Sequence, residues 1–323
     1  MRTFFITTAI ILTSLTAKAQ DAVFQVAATR GDVVTSKPNA ADAKSAVAKG
    51  KRLYKNETLQ IQSNGYIGLI HKSGQTMTIK KPGTYSVSDL DSKATAAATG
   101  SVSQRYANYV LEEITKDGDK DLKKNHQQFM AVTGAVMRAG KNASAVKPLI
   151  PPTAVLFSAN NTIHWMKSPG AGNMYIFTVS DLYDETIFSK ETPDTNITID
   201  FSKFPRLKSE KMCLVRVAVK GKKQTISDQC ALKFLPSTEA ASISKDLTAM
   251  TTGPESNSSI GKVAQAYFYE QNGLFLDALN AYQEAVELEP DVTDYRDIYR
   301  NFLVKVGLLE NPSANNGQKK EHN

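Results

Sequence analysis

Apolar and polar residues alternate with a period of two through the first third of the chain. The runs are "AVFQVA", "ETLQIQ", "GYIGLIHK", "QTMTIKK" and "TYSVSDL". Turn residues separate them at Ser63-Asn64-Gly65, Ser73-Gly74 and Pro82-Gly83, so the pattern predicts a β domain over residues 20–92. The period then changes. "KATAAATGS" reads as a linker, and in "SQRYANYVLEEI" Tyr106, Val110, Leu111 and Ile114 share one helical face. A second helix is predicted from Leu122 to Met137, making 93–148 a helical connector. Alternation returns over 149–236 in "AVLFS", "TIHWM", "MYIFTVS", "ETIFSK", "TNITID", "CLVRVAV" and "TISDQCALKFL". Short strands at this spacing predict a β-sandwich, with Trp165 buried between its sheets.

Beyond Pro236 the pattern is helical through 309, and the polar tail 310–323 is expected to be disordered. "STEAASISKDLTAM" is followed by a loose "TTGPESNS" and then by the hairpin "YFYEQNGLFLDALNAYQEAVELEP". Ala266, Ala278 and Ala285 fall where two antiparallel helices must approach closely, and Tyr269 and Tyr282 fill the space beside them. Gly273 turns the chain and Pro290 stops the second helix. A third helix carries Tyr295, Ile298, Tyr299, Phe302 and Val306 at helical spacing and ends at Gly307. The predicted fold class is multidomain α+β.

Three resemblances attach to these segments. "RGDVV", "KGKRLYKNETLQI" (Gly50, Leu53, Leu59, Ile61), "NGYIGLIHKSGQTMTI" (Gly65, Ile67, Leu69, Gly74, Ile79) and "PGTY" resemble the FecR-like β domain, over about a fifth of the chain. That family's best-known members sit in the periplasm and relay a signal through a membrane segment. No later apolar run here is long enough to span a membrane, so the resemblance implies a binding module rather than a relay. The second β segment resembles fibronectin type III and immunoglobulin-like modules, with Cys213 where a tyrosine would open the sixth strand. Residues Ser259 to Val292 resemble a single tetratricopeptide repeat, departing from it at Lys262, where a large aromatic is usual. By the family's pattern, Ile260, Val263, Tyr267, Glu270 and Gln271 would line a peptide or protein groove. One repeat cannot bury its own apolar face, so the unit serves either as that groove or as a structural cap packed on the sandwich.

The N-terminus sets the compartment. "MRTFFITTAIILTSLTAKAQ" has Arg2 before an apolar stretch and Ala17-Lys18-Ala19 behind it, which predicts a signal peptide over 1–19 cleaved after Ala19. No cysteine precedes Cys213, so the mature protein is expected to be periplasmic or secreted, soluble, and not a lipoprotein. The formal charge of +7 is spread along the chain without long basic runs or interleaved aromatics, and no nucleic-acid partner is expected.

The two cysteines invite a bridge. A two-residue turn at Gly221-Lys222 pairs Lys220 with Lys223 and places Cys213 opposite Cys230, with Cα atoms about 4.5 Å apart. A disulfide is therefore expected in an oxidising compartment, the alternative being two buried thiols. Other chemistry is absent from the motifs. "GAVMRAGKN" has one residue too many for a phosphate loop, and "DGDKD" lacks the glycine and glutamate of a calcium loop, with Leu122 and Gln128 in their places. His71 has no metal-ligand spacing around it. No catalytic residue, metal or cofactor is expected. The sequence thus points to a non-catalytic envelope scaffold or adaptor with a protein partner. The competing reading is a cell-wall or glycan-binding module in the FecR-like domain, with the helical end as a cap.

Overall fold

The computed structural model describes residues 21–37, 40–96, 146–151, 154–167, 174–209, 211–222, 225–251 and 255–309. The expected cleavage site after Ala19, the connector helices and the polar tail lie outside the described residues. The described chain is mixed α+β, with several antiparallel sheets and a helical C-terminal region. No described helix is long and apolar enough to cross a membrane.

Eight short strands make the N-terminal unit: β1 (Ala22–Arg30), β2 (Val33–Lys37), β3 (Ala40–Ala46), β4 (Arg52–Tyr54), β5 (Thr58–Ile61), β6 (Tyr66–His71), β7 (Thr76–Ile79) and β8 (Gly83–Ser86). They form two antiparallel sheets, ordered β4-β1-β6-β7 and β3-β2-β5-β8. Val26, Leu53, Leu59, Ile67 and Leu69 fill the core of this unit. The stretch expected as one last strand, "TYSVSDL", divides at Ser86, and α1 (Val87–Ala96) follows. Val87, Leu90, Asp91 and Ala94 point inward at helical spacing, and the Ser86 hydroxyl accepts the Asp89 N–H at 3.4 Å.

The second β unit contains β9 (Val146–Pro148), β10 (Ala154–Leu156), β11 (Asn160–Lys167), β12 (Tyr175–Ser180), β13 (Thr186–Thr192), β14 (Asn196–Asp200), β15 (Met212–Val219) and β16 (Cys230–Phe234). A five-stranded sheet, β10-β16-β15-β12-β13, packs on a three-stranded sheet, β14-β11-β9. Only the β10–β16 pair is parallel among the described pairs. Trp165 is 3% exposed and stacks on Phe177 across the two sheets. A short helix α2 (Pro205–Ser209) lies between β14 and β15.

The expected disulfide does not form. The hairpin loop is longer than two residues: the Val219 N–H donates to the Thr225 carbonyl at 2.9 Å. The ladder then slips again near Asp228, where the Ser227 hydroxyl accepts from the Val217 N–H and donates to the Asp228 carbonyl. Each slip moves the partner by one residue, so Cys230 faces Val215 and Cys213 faces Leu232. The cysteines are thus diagonal neighbours, a separation of about 7–8 Å, too far for a bridge. Burial pushes the Cys230 thiol up to about 11.

Four helices end the described chain: α3 (Ser237–Thr251), α4 (Ser259–Gln271), α5 (Phe275–Leu288) and α6 (Thr293–Lys305). Ser258 caps α4 by accepting the Gly261 N–H at 3.2 Å. The turn to α5 passes through Gly273 at φ +71°, a left-handed conformation that suits glycine. Ala266, Ala278 and Ala285 are fully buried where the helices cross, and Tyr282 packs against Tyr267 and Phe302. Lys262 pairs with Glu284 across the hairpin at 2.6 Å. This helical core is continuous with Ala27, Ala28, Tyr66 and Ile70 of β1 and β6.

Two predictions follow from this packing. Ala278→Leu overpacks the crossing and should lower stability by about 1–3 kcal/mol in urea unfolding. Because the core is shared, limited proteolysis of that variant should cut the N-terminal β unit as well as the helices. For the cysteines, a thiol reagent at pH 8 should label neither site rapidly in the native protein and both after denaturation.

Candidate functional site

The surface that the repeat pattern marks as a groove is closed from within the molecule. Ile260, Val263 and Tyr267 are at most 1% exposed and pack in one cluster with Ala27, Ala28, Tyr66 and Ile70. Glu270 is buried too, accepting from Lys305 at 3.0 Å and from the Tyr282 hydroxyl at 3.5 Å. Gln271 alone of the five is exposed. Of the remaining repeat positions, Tyr269 is half-buried against Phe157 of the sandwich and Pro290 is exposed after α5 ends. The helical unit therefore sits between two β units, with a seam on each side.

The first seam joins the helices to the outer face of β6. Every residue of β6 is buried, because Ile67 and Leu69 point into their own β unit while Tyr66 and Ile70 lie under the helices. Gly68 permits the contact: a Cβ there would stand 2.8 Å from the Tyr295 hydroxyl. The Tyr66 and Tyr295 hydroxyls hydrogen-bond at 2.7 Å. Burial lifts Tyr66 to about 12 and Tyr295 well above its ordinary value, so both hydroxyls stay protonated and one donates to the other. At the rim, Asp294 accepts the Thr29 N–H at 3.1 Å and pairs with Lys49, while Arg30 pairs with Asp291 and Lys80 with Glu289.

The second seam joins α5 to the sandwich. Leu276 inserts into the sandwich core, and beside it Asp277 accepts the N–H groups of Phe157 and Ser158 at 3.3 and 3.1 Å. Asn280 donates to Asn161 at 3.0 Å, and Lys147 donates to the Leu308 carbonyl at 2.9 Å. Burial lifts the Asp277 carboxyl to about 6, the donors from Ser158 and Phe157 opposing part of that rise.

Elsewhere, one group of side chains has the makings of proton-transfer chemistry. The Ser73 hydroxyl meets His71 Nδ1 at 2.7 Å, His71 Nε2 meets Asp91 at 2.9 Å, and Lys55 pairs with Asp91 at 2.9 Å. Lys55 and then His71 hold the Asp91 carboxyl below its ordinary value. The Ser73 N–H also points at Nδ1, at 3.2 Å, and the imidazole is 2% exposed against Phe24. The group therefore closes the β6–β7 turn and ties α1 to β6. Among the described residues no three His, Cys, Asp or Glu side chains are placed to hold a metal ion.

The described residues also line concave regions. A cleft of about 550 Å³ beside β2 and β5 is lined by Asp32, Lys44, Gln60, Gln62 and Ser63 together with valine side chains. An apolar pocket of about 310 Å³ opens at one end of the sandwich. Sequence reasoning overlooked the first seam, and it anticipated the second only as a cap packed on the sandwich, without the residues that make the contact. The signal for the first was the unbroken apolar run "YIGLI", the mark of a strand buried on both faces. For the second it was Asp277, a lone carboxylate among the apolar residues of "LFLDAL".

The Asp277 carboxyl gives the second seam a pH dependence. Its folded value of about 6 lies above the ordinary 3.8, so the folded state holds the proton more tightly. That contribution is complete below about pH 4 and is lost as pH rises through 6, a difference on the order of 2–3 kcal/mol. In urea unfolding, the loss of stability between pH 5 and 8 should be smaller in Asp277→Asn than in the wild type by roughly 1 kcal/mol, about half of that difference, because the unfolded carboxyl has already ionised by pH 5. Compared with family models, with curated proteins and with solved structures, the chain matches none of them.

Proposed function

We propose that this chain is a non-catalytic, exported cell-envelope scaffold or adaptor that holds a protein partner through modular domains. A parallel β10 beside the last strand, with β9, β11 and β14 in the opposite sheet, supports reading the second unit as an immunoglobulin-like sandwich. The alanine-lined crossing of α4 and α5 supports the tetratricopeptide-like reading, and the paired small sheets of residues 22–86 are in keeping with a FecR-like domain. The observation that carries the scaffold reading is the double seam. The helical unit is wedged between both β units, and its apolar groove face is occupied by β1 and β6. Such an arrangement holds surfaces at fixed separations. It also directs a partner to the outer faces of the β units.

Crosslinking of the mature protein in its native envelope, followed by identification of what is captured, tests this. A discrete protein partner is expected, and its capture should survive substitution of the exposed Gln271 by Ala. Recovery of wall polymer with no protein overturns the scaffold reading.

The glycan reading has its own observation, the cleft lined by Asp32, Lys44, Gln60, Gln62 and Ser63. Amide, carboxylate, ammonium and hydroxyl groups together suit a polyhydroxylated ligand, each hydrogen bond contributing about 0.5–1.5 kcal/mol. If that reading holds, Gln60→Ala combined with Gln62→Ala should weaken retention on purified cell wall by about tenfold. Unchanged retention removes the cleft from consideration.

A further inference from the structure

One end of the sandwich carries a rigid protrusion and an apolar pocket side by side. The protrusion is the β12–β13 loop, residues 181–185. Asp181 accepts the N–H groups of both Tyr183 and Glu185 at 2.9 Å. Arg206 of α2 donates to Asp181 and, at 2.6 Å, to Glu185. Asp184 sits at φ +65° and accepts from Gln229 at 3.0 Å. A non-glycine residue in the left-handed region persists only where its surroundings hold it there. All of this bracing presents two apolar side chains to solvent: Tyr183 is 88% exposed and Leu182 57%. An aromatic side chain on a pre-organised loop loses little freedom on contact, which is the property of an association hot spot.

The pocket, about 310 Å³ in volume, is walled by Leu156, Phe157, Phe201, Leu207 and Phe234. It lies at the same end of the molecule, since β16 ends at Phe234 and β12 ends at Ser180 with only β15 between them. Two strand spacings put tip and pocket roughly 10 Å apart. Helix α2 serves both, as Arg206 braces the loop while the next residue, Leu207, walls the pocket. The ionic groups here are satisfied within one copy, Arg206 by Asp181 and Glu185 and Lys203 by Asp200, so the tip and the pocket match through their apolar surfaces. An apolar knob and an apolar hole on one face form a self-complementary patch, which a two-fold axis between two copies satisfies twice.

We propose that this end of the sandwich is a self-association surface, at which each copy of the chain seats its Leu182–Tyr183 tip in the apolar pocket of a second copy. The contact is reciprocal and closed, so it yields dimers and no longer assembly.

Sedimentation equilibrium of the mature full-length protein tests it, with thermal unfolding as the check that each variant is folded. The wild type should show a concentration-dependent monomer–dimer equilibrium. Tyr183→Ala removes the knob and should weaken the dimer about thirtyfold or more. Ala159→Trp, at the exposed mouth of the pocket, fills the hole and should weaken it comparably. Mixing the two variants leaves one intact knob-and-hole contact, so a heterodimer should form more tightly than either homodimer. A wild type that stays monomeric up to about 0.1 mM overturns the proposal. That is also the result expected if the pocket serves a small apolar ligand or another protein. Variants that dimerise as the wild type does overturn it equally.

Discussion

The arrangement of this protein depends on one apolar contact, the packing of α4 and α6 on the outer face of β1 and β6. Burying Tyr66, Ile70, Ala27 and Ala28 under Ile260, Val263, Tyr267 and Tyr295 removes large side chains of both units from water at once. A buried side chain of this size contributes about 1.5–3 kcal/mol. The ion pairs around the rim, with partners that are mostly part-exposed, contribute at most about 1 kcal/mol each. Apolar burial therefore sets the strength of the seam. The Tyr66–Tyr295 bond and the missing side chain at Gly68 set its register.

The opposite seam is of another kind. There a carboxylate is taken out of water and partly compensated by two backbone donors. Burying such a group adds little net stability, yet leaving either partner unsatisfied is costly, so the contact selects one docking geometry. The helical unit is thus joined to one neighbour by packing and oriented on the other by hydrogen bonds.

Much of this was legible in the chain. Period-two runs located most of the strands, and the positions of Ala266, Ala278 and Ala285 marked the helix crossing. Three features escaped for physical reasons. α1 was hidden because "VSDL" alternates like a strand over four residues and shows its helical period only when Ala94 is included. The cysteine register failed because loop length and a bulge are set by local hydrogen bonds, which a pairing rule cannot see. The cover over the repeat's apolar face was not foreseen because a single repeat announces such a face without naming what packs on it. Here the cover comes from residues more than 200 positions earlier, as the Tyr66–Tyr295 separation of 229 shows.

That same separation governs how the protein can be made. The outer face of β6 reaches its cover only after residues 260 to 308 have been synthesised. At about 5–20 residues per second, the 229 positions between Tyr66 and Tyr295 take roughly 10–50 s to appear. Throughout that interval the N-terminal sheet carries Ala27, Ala28, Tyr66 and Ile70 uncovered, a surface suited to wrong pairing with other nascent chains. Truncation before α4 would make the exposure permanent. The last helix therefore completes the first sheet, and the N-terminal unit matures only when the C-terminal one arrives.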